Sequence, residues 1–176
     1  MTTIVAVQGD GWAVVGYDSQ VSEIDVGGRT YTLPKSNSKV VKNGDYLIGS
    51  AGDLRILNIL SYVFKPPSIQ ITNLDKHMTA SFIPALKKCL EDNSVSKDGE
   101  FESEIIVSVR GQVYVVGENY EWCQDVKGIY AIGSGSAYAL GSLYNDARTK
   151  DFTSDPDATK TSVKSALEIA ASLDWG

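Results

Sequence analysis

The order of extended and helical segments predicts an α+β protein, a four-layer αββα sandwich with two antiparallel sheets between helix pairs. Two blocks of β-prone hairpins alternate with two pairs of amphipathic helices; strict strand–helix alternation would instead give a parallel sheet. The turns between extended runs are the short Gly- and Asn-containing kinds that join antiparallel neighbours. The 176 residues, 43% apolar and 22% charged, suffice for one domain over 1–176. No repeat, low-complexity tract or linker divides them.

Each element has its own signal. Residues 4–7 and 12–17 are β-prone runs joined by Gln8-Gly9-Asp10-Gly11, a hairpin signature. Asp18-Ser19-Gln20 ends the second run at a polar tip. Residues 23–28 read as a loop, and 29–33 as a short extended piece stopped by Pro34. Residues 38–42 and 46–50 pair about Asn43-Gly44. A helix over 53–64 is apolar around most of its circumference, so it is covered on two sides, and Pro66-Pro67 ends it. Residues 73–90 place Leu74, Met78, Phe82, Leu86 and Leu90 on one helical face, with a kink at Pro84. The second strand block has a hairpin over 104–110 and 112–117 about Gly111, then a short strand at 129–132. A third helix is expected over 136–150. The fourth begins at Asp155-Pro156, an N-cap followed by proline at the first helical position.

Composition removes several classes of function. A net charge of −6 opposes a phosphate-binding surface, so no nucleic-acid partner is expected. No apolar run approaches the length of a membrane span, and the N-terminus lacks the pattern of a signal peptide. Cys89 and Cys123 form neither a disulfide framework nor a metal cluster by themselves. A reducing, cytoplasmic setting follows as the expectation. His77 is the single histidine and reads as a partly exposed helix residue. HExxH zinc chemistry needs two histidines, and no GxSxG elbow, P-loop or GxGxxG is present. An enzyme built from this chain would find its base outside imidazole.

Thr2 offers such a base. A threonine hydroxyl needs a general base beside it, and removal of Met1 would supply an α-amine on the same residue. That amine has an ordinary pKa of about 7.7–8.0, suited to proton transfer at neutral pH. Alone, Thr2-Thr3 reads equally as the start of a strand. Its company is more specific: TTIVAV at 2–7, DSQ at 18–20, SKV at 38–40, LIGSAGD at 47–53 and AIGSGSAYALGSL at 131–143. In these motifs and their order the chain resembles the proteasome β-subunit family of N-terminal nucleophile hydrolases, on its bacterial, ATP-dependent branch.

The resemblance implies a threonine endopeptidase. Thr2 would be the nucleophile and Lys39 the ammonium beside it. Asp18 would pair with and orient that lysine. Gly49 would give a backbone N–H to the oxyanion, and Ser134 would hydrogen-bond near the terminal amine. Val21, Asn37, Val41 and Leu47 would line the first specificity pocket, an uncharged and mostly apolar set that implies apolar side chains before the cut bond. The family works as stacked homo-oligomeric rings on unfolded protein or peptide, fed by an ATPase ring. ATP would thus belong to a partner unfoldase, with no cofactor in this chain and no metal. On residue type alone, Asp18 also reads as a turn residue, Lys39 as one of several lysines beside Lys35 and Lys42, and Ser134 or Ser136 as a helix N-cap.

The chain departs from the family pattern in three places. Tyr17 and Ser19 flank Asp18 where glycines are usual, and the stretch from Gln20 to Lys39 is several residues longer. Family members continue past the last helix with strand residues, whereas this sequence stops at Asp174-Trp175-Gly176. Asp174 matches a supporting aspartate of proteasome β-subunits, but the serine expected after it is absent. Two other readings stay open: a non-catalytic ring or assembly subunit, and an N-terminal nucleophile amidohydrolase acting on small amides.

Overall fold

The computed structural model describes residues 2–22, 30–32 and 38–174. Strands β1 (Ile4–Gln8) and β2 (Ala13–Tyr17) form the first hairpin, and β10 (Ile129–Ile132) pairs with the other edge of β1. The order in this three-stranded sheet is β10-β1-β2, all antiparallel. The second sheet runs β5 (Val40–Asn43), β6 (Tyr46–Gly52), β7 (Ser103–Val109), β8 (Gln112–Val116) and β9 (Trp122–Cys123) in chain order. A two-stranded ribbon pairs β3 (Gln20–Ser22) with β4 (Thr30–Thr32).

Strand alternation explains the layering. Val5 and Val7 point to one side of β1, against Ala139 and Leu143 of α4 (Ser136–Asp146) and Val163, Ala166 and Ala170 of α5 (Pro156–Leu173). Ile4 and Ala6 point to the other side, against Ala51, Ile106, Val113 and Ile132. All four are fully buried, as a strand covered on both faces requires. In β7, Ile105, Val107 and Val109 face the opposite helical layer while Ile106 faces the first sheet. That outer layer holds α1 (Leu54–Tyr62), α2 (Leu74–His77) and α3 (Ile83–Asp92). The order is therefore helices, five-stranded sheet, three-stranded sheet, helices: the αββα sandwich expected.

Helix starts fall where the capping residues are. Asp53 accepts from Arg55 N–H at 2.8 Å, Asn73 from Lys76 N–H at 2.9 Å, and Asp155 from Asp157 and Ala158 at 3.0 Å each. The expected kink is a π-helical turn, Met78–Phe82, between α2 and α3. Pro84 has no N–H to donate, and the wider turn absorbs the missing bond. The third helix is shorter than expected because its end is tied off. The Asp146 carboxylate takes Lys150 Nζ and Ser162 Oγ, each at 2.6 Å. Strands β3 and β9 were not legible as strands, since each is only two or three residues long. The expected loop at 23–28 lies outside the described residues.

His77 corrects an expectation: it is buried, with 2% of its surface exposed. The Tyr46 hydroxyl donates to the Pro67 carbonyl at 2.8 Å, so the imidazole Nε2–H donates to that hydroxyl oxygen at 2.6 Å. Burial, and then the Arg110 charge, pull the His77 pKa below its ordinary 6.5. Sequence periodicity missed this because Tyr46 comes from the far side of the sheet–helix interface.

Candidate active site

Thr2 stands just before β1, where the hairpin ladder runs on into side-chain bonds. Asp18 N–H donates to the Thr3 carbonyl at 3.1 Å, and Thr3 N–H donates back to Asp18 Oδ1 at 2.6 Å. Gln20 N–H donates to Asp18 Oδ2 at 2.9 Å. Two backbone donors thus fix the carboxylate before any charge partner is considered.

Lys39 lies at the bend before β5 and reaches across from the other sheet. Its Nζ is 2.8 and 3.0 Å from the two Asp18 oxygens and 3.1 Å from Thr2 Oγ1, and it also donates to the Gln20 carbonyl. An ammonium has three hydrogens, and among the described residues Asp18, Thr2 and Gln20 offer acceptors for them. The Lys39 and Asp18 side chains are 2% and 9% exposed. Burial pulls the Lys39 pKa below its ordinary 10.5; the bond to Asp18, its charge and then that of Asp174 oppose this without cancelling it.

The third part is the turn Gly133-Ser134-Gly135. Thr2 N–H donates to Ser134 Oγ at 3.1 Å, and Ser134 O–H donates to Asp174 Oδ2 at 2.6 Å. Gly133 has φ +88°, and a Cβ there would fall 2.1 Å from the Thr2 carbonyl oxygen. Only glycine admits that approach. The alternative for this position, Ser136, is the first residue of α4, and its N–H donates to the Gly133 carbonyl at 3.1 Å. The N-cap of α4 is Gly135, with no side-chain capping bond, so Ser134 is not a cap.

The remaining expected residues divide. Gly49 is buried in β6 opposite Val40, facing the Ile4 side chain, and Ala51 follows on the same face. Leu47 shares that face and is half-buried. Val41 does not join them. Because Val40 takes the inter-sheet side, Val41 turns to the helical side and packs against the α1–α3 core. Val21 pairs with Tyr31 in the β3–β4 ribbon, its side chain outside the described residues, and Asn37 lies outside them altogether. Sequence reasoning missed Gln20, whose carbonyl holds Lys39, and Glu104, whose Oε2 accepts from Gly133 N–H at 3.2 Å. Neither carries a local signal. Among the described residues no three His, Cys, Asp or Glu side chains gather as metal ligands.

No protein-family model matches the chain. Among curated proteins, the ATP-dependent protease subunit HslV of a Nitratiruptor species is 30% identical over 176 residues, covering 98% of this chain and 89% of the relative. The chain belongs to the HslV family. A second HslV, from Oceanobacillus iheyensis, is 28% identical over 174 residues, covering 98% of this chain and 88% of its own. The proteasome-like fold extends to a solved structure, Thiobacillus denitrificans BPH in complex with epoxomicin. That match has a TM-score of 0.70 at 21% identity, covering 94% of this chain and 90% of that one. Against this HslV background the cluster has a clear chemical reading. A hydroxyl lies within hydrogen-bonding distance of a buried cation, and the nitrogen of the same residue is held by Ser134, an arrangement in which a hydroxyl could lose its proton and attack a carbonyl.

Proposed function

We propose that this protein is a threonine endopeptidase, the proteolytic subunit of a self-compartmentalised ring protease, with Thr2 as nucleophile once Met1 is removed. The observation that carries the reading is Lys39 Nζ, 3.1 Å from Thr2 Oγ1 while held by both oxygens of Asp18. With Met1 attached, the Thr2 nitrogen is a peptide N–H; without it, the same atom is an amine free to accept a proton. Lys39, as a like charge, lowers the pKa of that amine and keeps it unprotonated near neutrality. It also stabilises Oγ1 as its proton leaves.

Thr2 Oγ1 adds to the scissile carbonyl while the amine takes the hydroxyl proton. Gly49 is not the donor for the developing oxyanion: it is paired with Val40 on one edge of β6 and Ile106 on the other. Since the Ser50 N–H turns to the Lys39 carbonyl, the Gly49 N–H turns into the β7 ladder, leaving the Lys39 ammonium as the charge beside the reacting atoms. The C–N bond then breaks, the proton passes to the leaving amine, and an ester joins Thr2 to the acyl fragment. Water, deprotonated by the same amine, hydrolyses the ester and restores the hydroxyl. Ser134, itself oriented by Asp174, fixes the amine in position throughout. Val21 and Leu47, with Asn37, would make an uncharged, mostly apolar subsite for the residue before the cut bond. The relatives are named ATP-dependent protease subunits, which supports a homo-oligomeric ring fed with unfolded protein by an ATPase partner. The chain carries no nucleotide motif, so ATP would be that partner's.

The test is an intact mass after incubation with a peptide epoxyketone, the reagent class to which epoxomicin belongs. Its two ring-forming bonds need both a hydroxyl and a free amine. The expected mass is the chain without Met1 plus one adduct, with no adduct in Thr2→Ala. A chain that keeps Met1 and forms no adduct would establish the non-catalytic ring subunit instead. Turnover of small amides with none of peptides would establish the amidohydrolase.

A further inference from the structure

The two sheets contribute different halves of the site. Thr2, Asp18 and the Gly133–Ser134–Gly135 turn belong to the three-stranded sheet, whereas Lys39 comes with the five-stranded one. The surface between the sheets is mainly apolar, lined by Ile4, Ala6, Ala51, Ile106, Val113 and Ile132. Apolar contact is non-directional and holds the sheets together without fixing their lateral position tightly. At the end of β1 remote from Thr2, Gln8 Oε1 accepts from Val113 N–H at 2.9 Å and makes one polar tie. At the Thr2 end, the tie to the turn is Glu104. It sits on β7 opposite Ala51, and its carboxylate crosses to the Gly133 N–H at 3.2 Å. Gly133 lies just past the last ladder pair, Ile4↔Ile132, so its N–H needs an acceptor from elsewhere.

We infer that Glu104 is a positioning residue for the threonine site, registering the turn that holds Thr2 against the five-stranded sheet that carries Lys39. The inference rests on the threonine reading above. Glu104 acts through Gly133: the bond anchors the residue pressed on the Thr2 carbonyl, and Ser134 follows it directly. A charged acceptor makes this bond stronger than a neutral one, although the glutamate is exposed. Loosening it lets the nucleophile drift relative to Lys39, and small displacements of reacting groups carry large rate penalties.

Two conservative variants separate the bond from the charge. Glu104→Gln keeps the reach and an acceptor oxygen but is neutral. Glu104→Asp keeps the charge but is one methylene too short to hold the turn. Epoxyketone adduct rates, peptide kcat and KM, and melting temperatures are measured for both, for Glu104→Ala and for the parent. The expected result is Glu104→Gln within about twofold of the parent in adduct rate and kcat. Glu104→Asp and Glu104→Ala should be about five- to tenfold slower, with KM little changed. Parental rates in Glu104→Asp and Glu104→Ala overturn the inference, as does a Glu104→Gln as slow as Glu104→Ala. If Glu104→Ala fails to fold, the other two decide. A parent that forms no adduct removes the threonine reading and this inference together; equal rates in all variants remove this inference alone.

Discussion

Lys39 holds its charge where water does not reach it, so its neighbours decide whether the charge persists. Taking away Asp18 leaves a buried ammonium without its anion, a change that typically costs about 3–5 kcal/mol. Burial lowers the Lys39 pKa below 10.5, so the ammonium is lost at a pH below that of a free lysine. If the ammonium is the form that works, kcat/KM falls on the alkaline side before pH 10.5 is reached. Asp18→Asn removes an interaction that raises this pKa, so the fall moves to lower pH. A pH profile of parent and Asp18→Asn checks both points; an alkaline limb unmoved by the substitution would contradict the pairing. Stability moves in the other sense. Between the lowered folded value and 10.5 the unfolded chain binds more protons, so folding is favoured as pH rises through that window.

The helix pair α2–α3 stores a second titration in His77, wedged between the π turn and Tyr46. Its folded pKa lies below 6.5, so on acidification the unfolded chain takes the proton first. The stability it contributes is complete above about pH 6.5 and is lost as pH falls toward the folded value. Melting temperatures should therefore drop more steeply from pH 7 to 5 in the parent than in His77→Gln, whose amide can still donate to Tyr46. Parallel slopes would show that His77 is not the group responsible. The contrast between His77 and the catalytic candidates shows what sequence can reveal at this scale. Asp18, Lys39 and Ser134 became candidates only through the family resemblance of the short motifs that hold them, whereas the strand and helix blocks followed from periodicity and turn signals. Val41 was misplaced because its face depends on where β5 starts alternating, one residue after a bend at Lys39 that no propensity announces. Glu104, Gln20 and the Tyr46–His77 bond were invisible because each joins elements whose meeting is set only when layers stack.

Across the whole molecule, the two outer helical layers leave apolar side chains in water. Val63 is exposed at the end of α1, and Tyr138, Ile169 and Leu173 are exposed on α4 and α5. The last three lie at one end of that helix pair, because a Cβ on Gly135, just before α4, would touch both Ala170 and Asp174. The same end carries Ser134 and Thr2, so a neighbour seated there would also close off the site. Exposed apolar groups gathered at one end of a helix pair, beside the candidate site, point to a surface that another chain covers. Sedimentation velocity should then find the protein as a multiple of its 19.0 kDa subunit. Leu173→Glu together with Tyr138→Glu should lower that multiple, because charged groups would have to be buried in the contact. Thr2→Ala should leave the multiple unchanged, since Thr2 precedes β1 and lies outside the three apolar clusters. If the double variant sediments like the parent, the contact between copies lies elsewhere, with the α1 layer around Val63 next to be tested. If it disperses and its epoxyketone adduct rate falls as well, enclosure by neighbouring subunits contributes to the chemistry of Thr2.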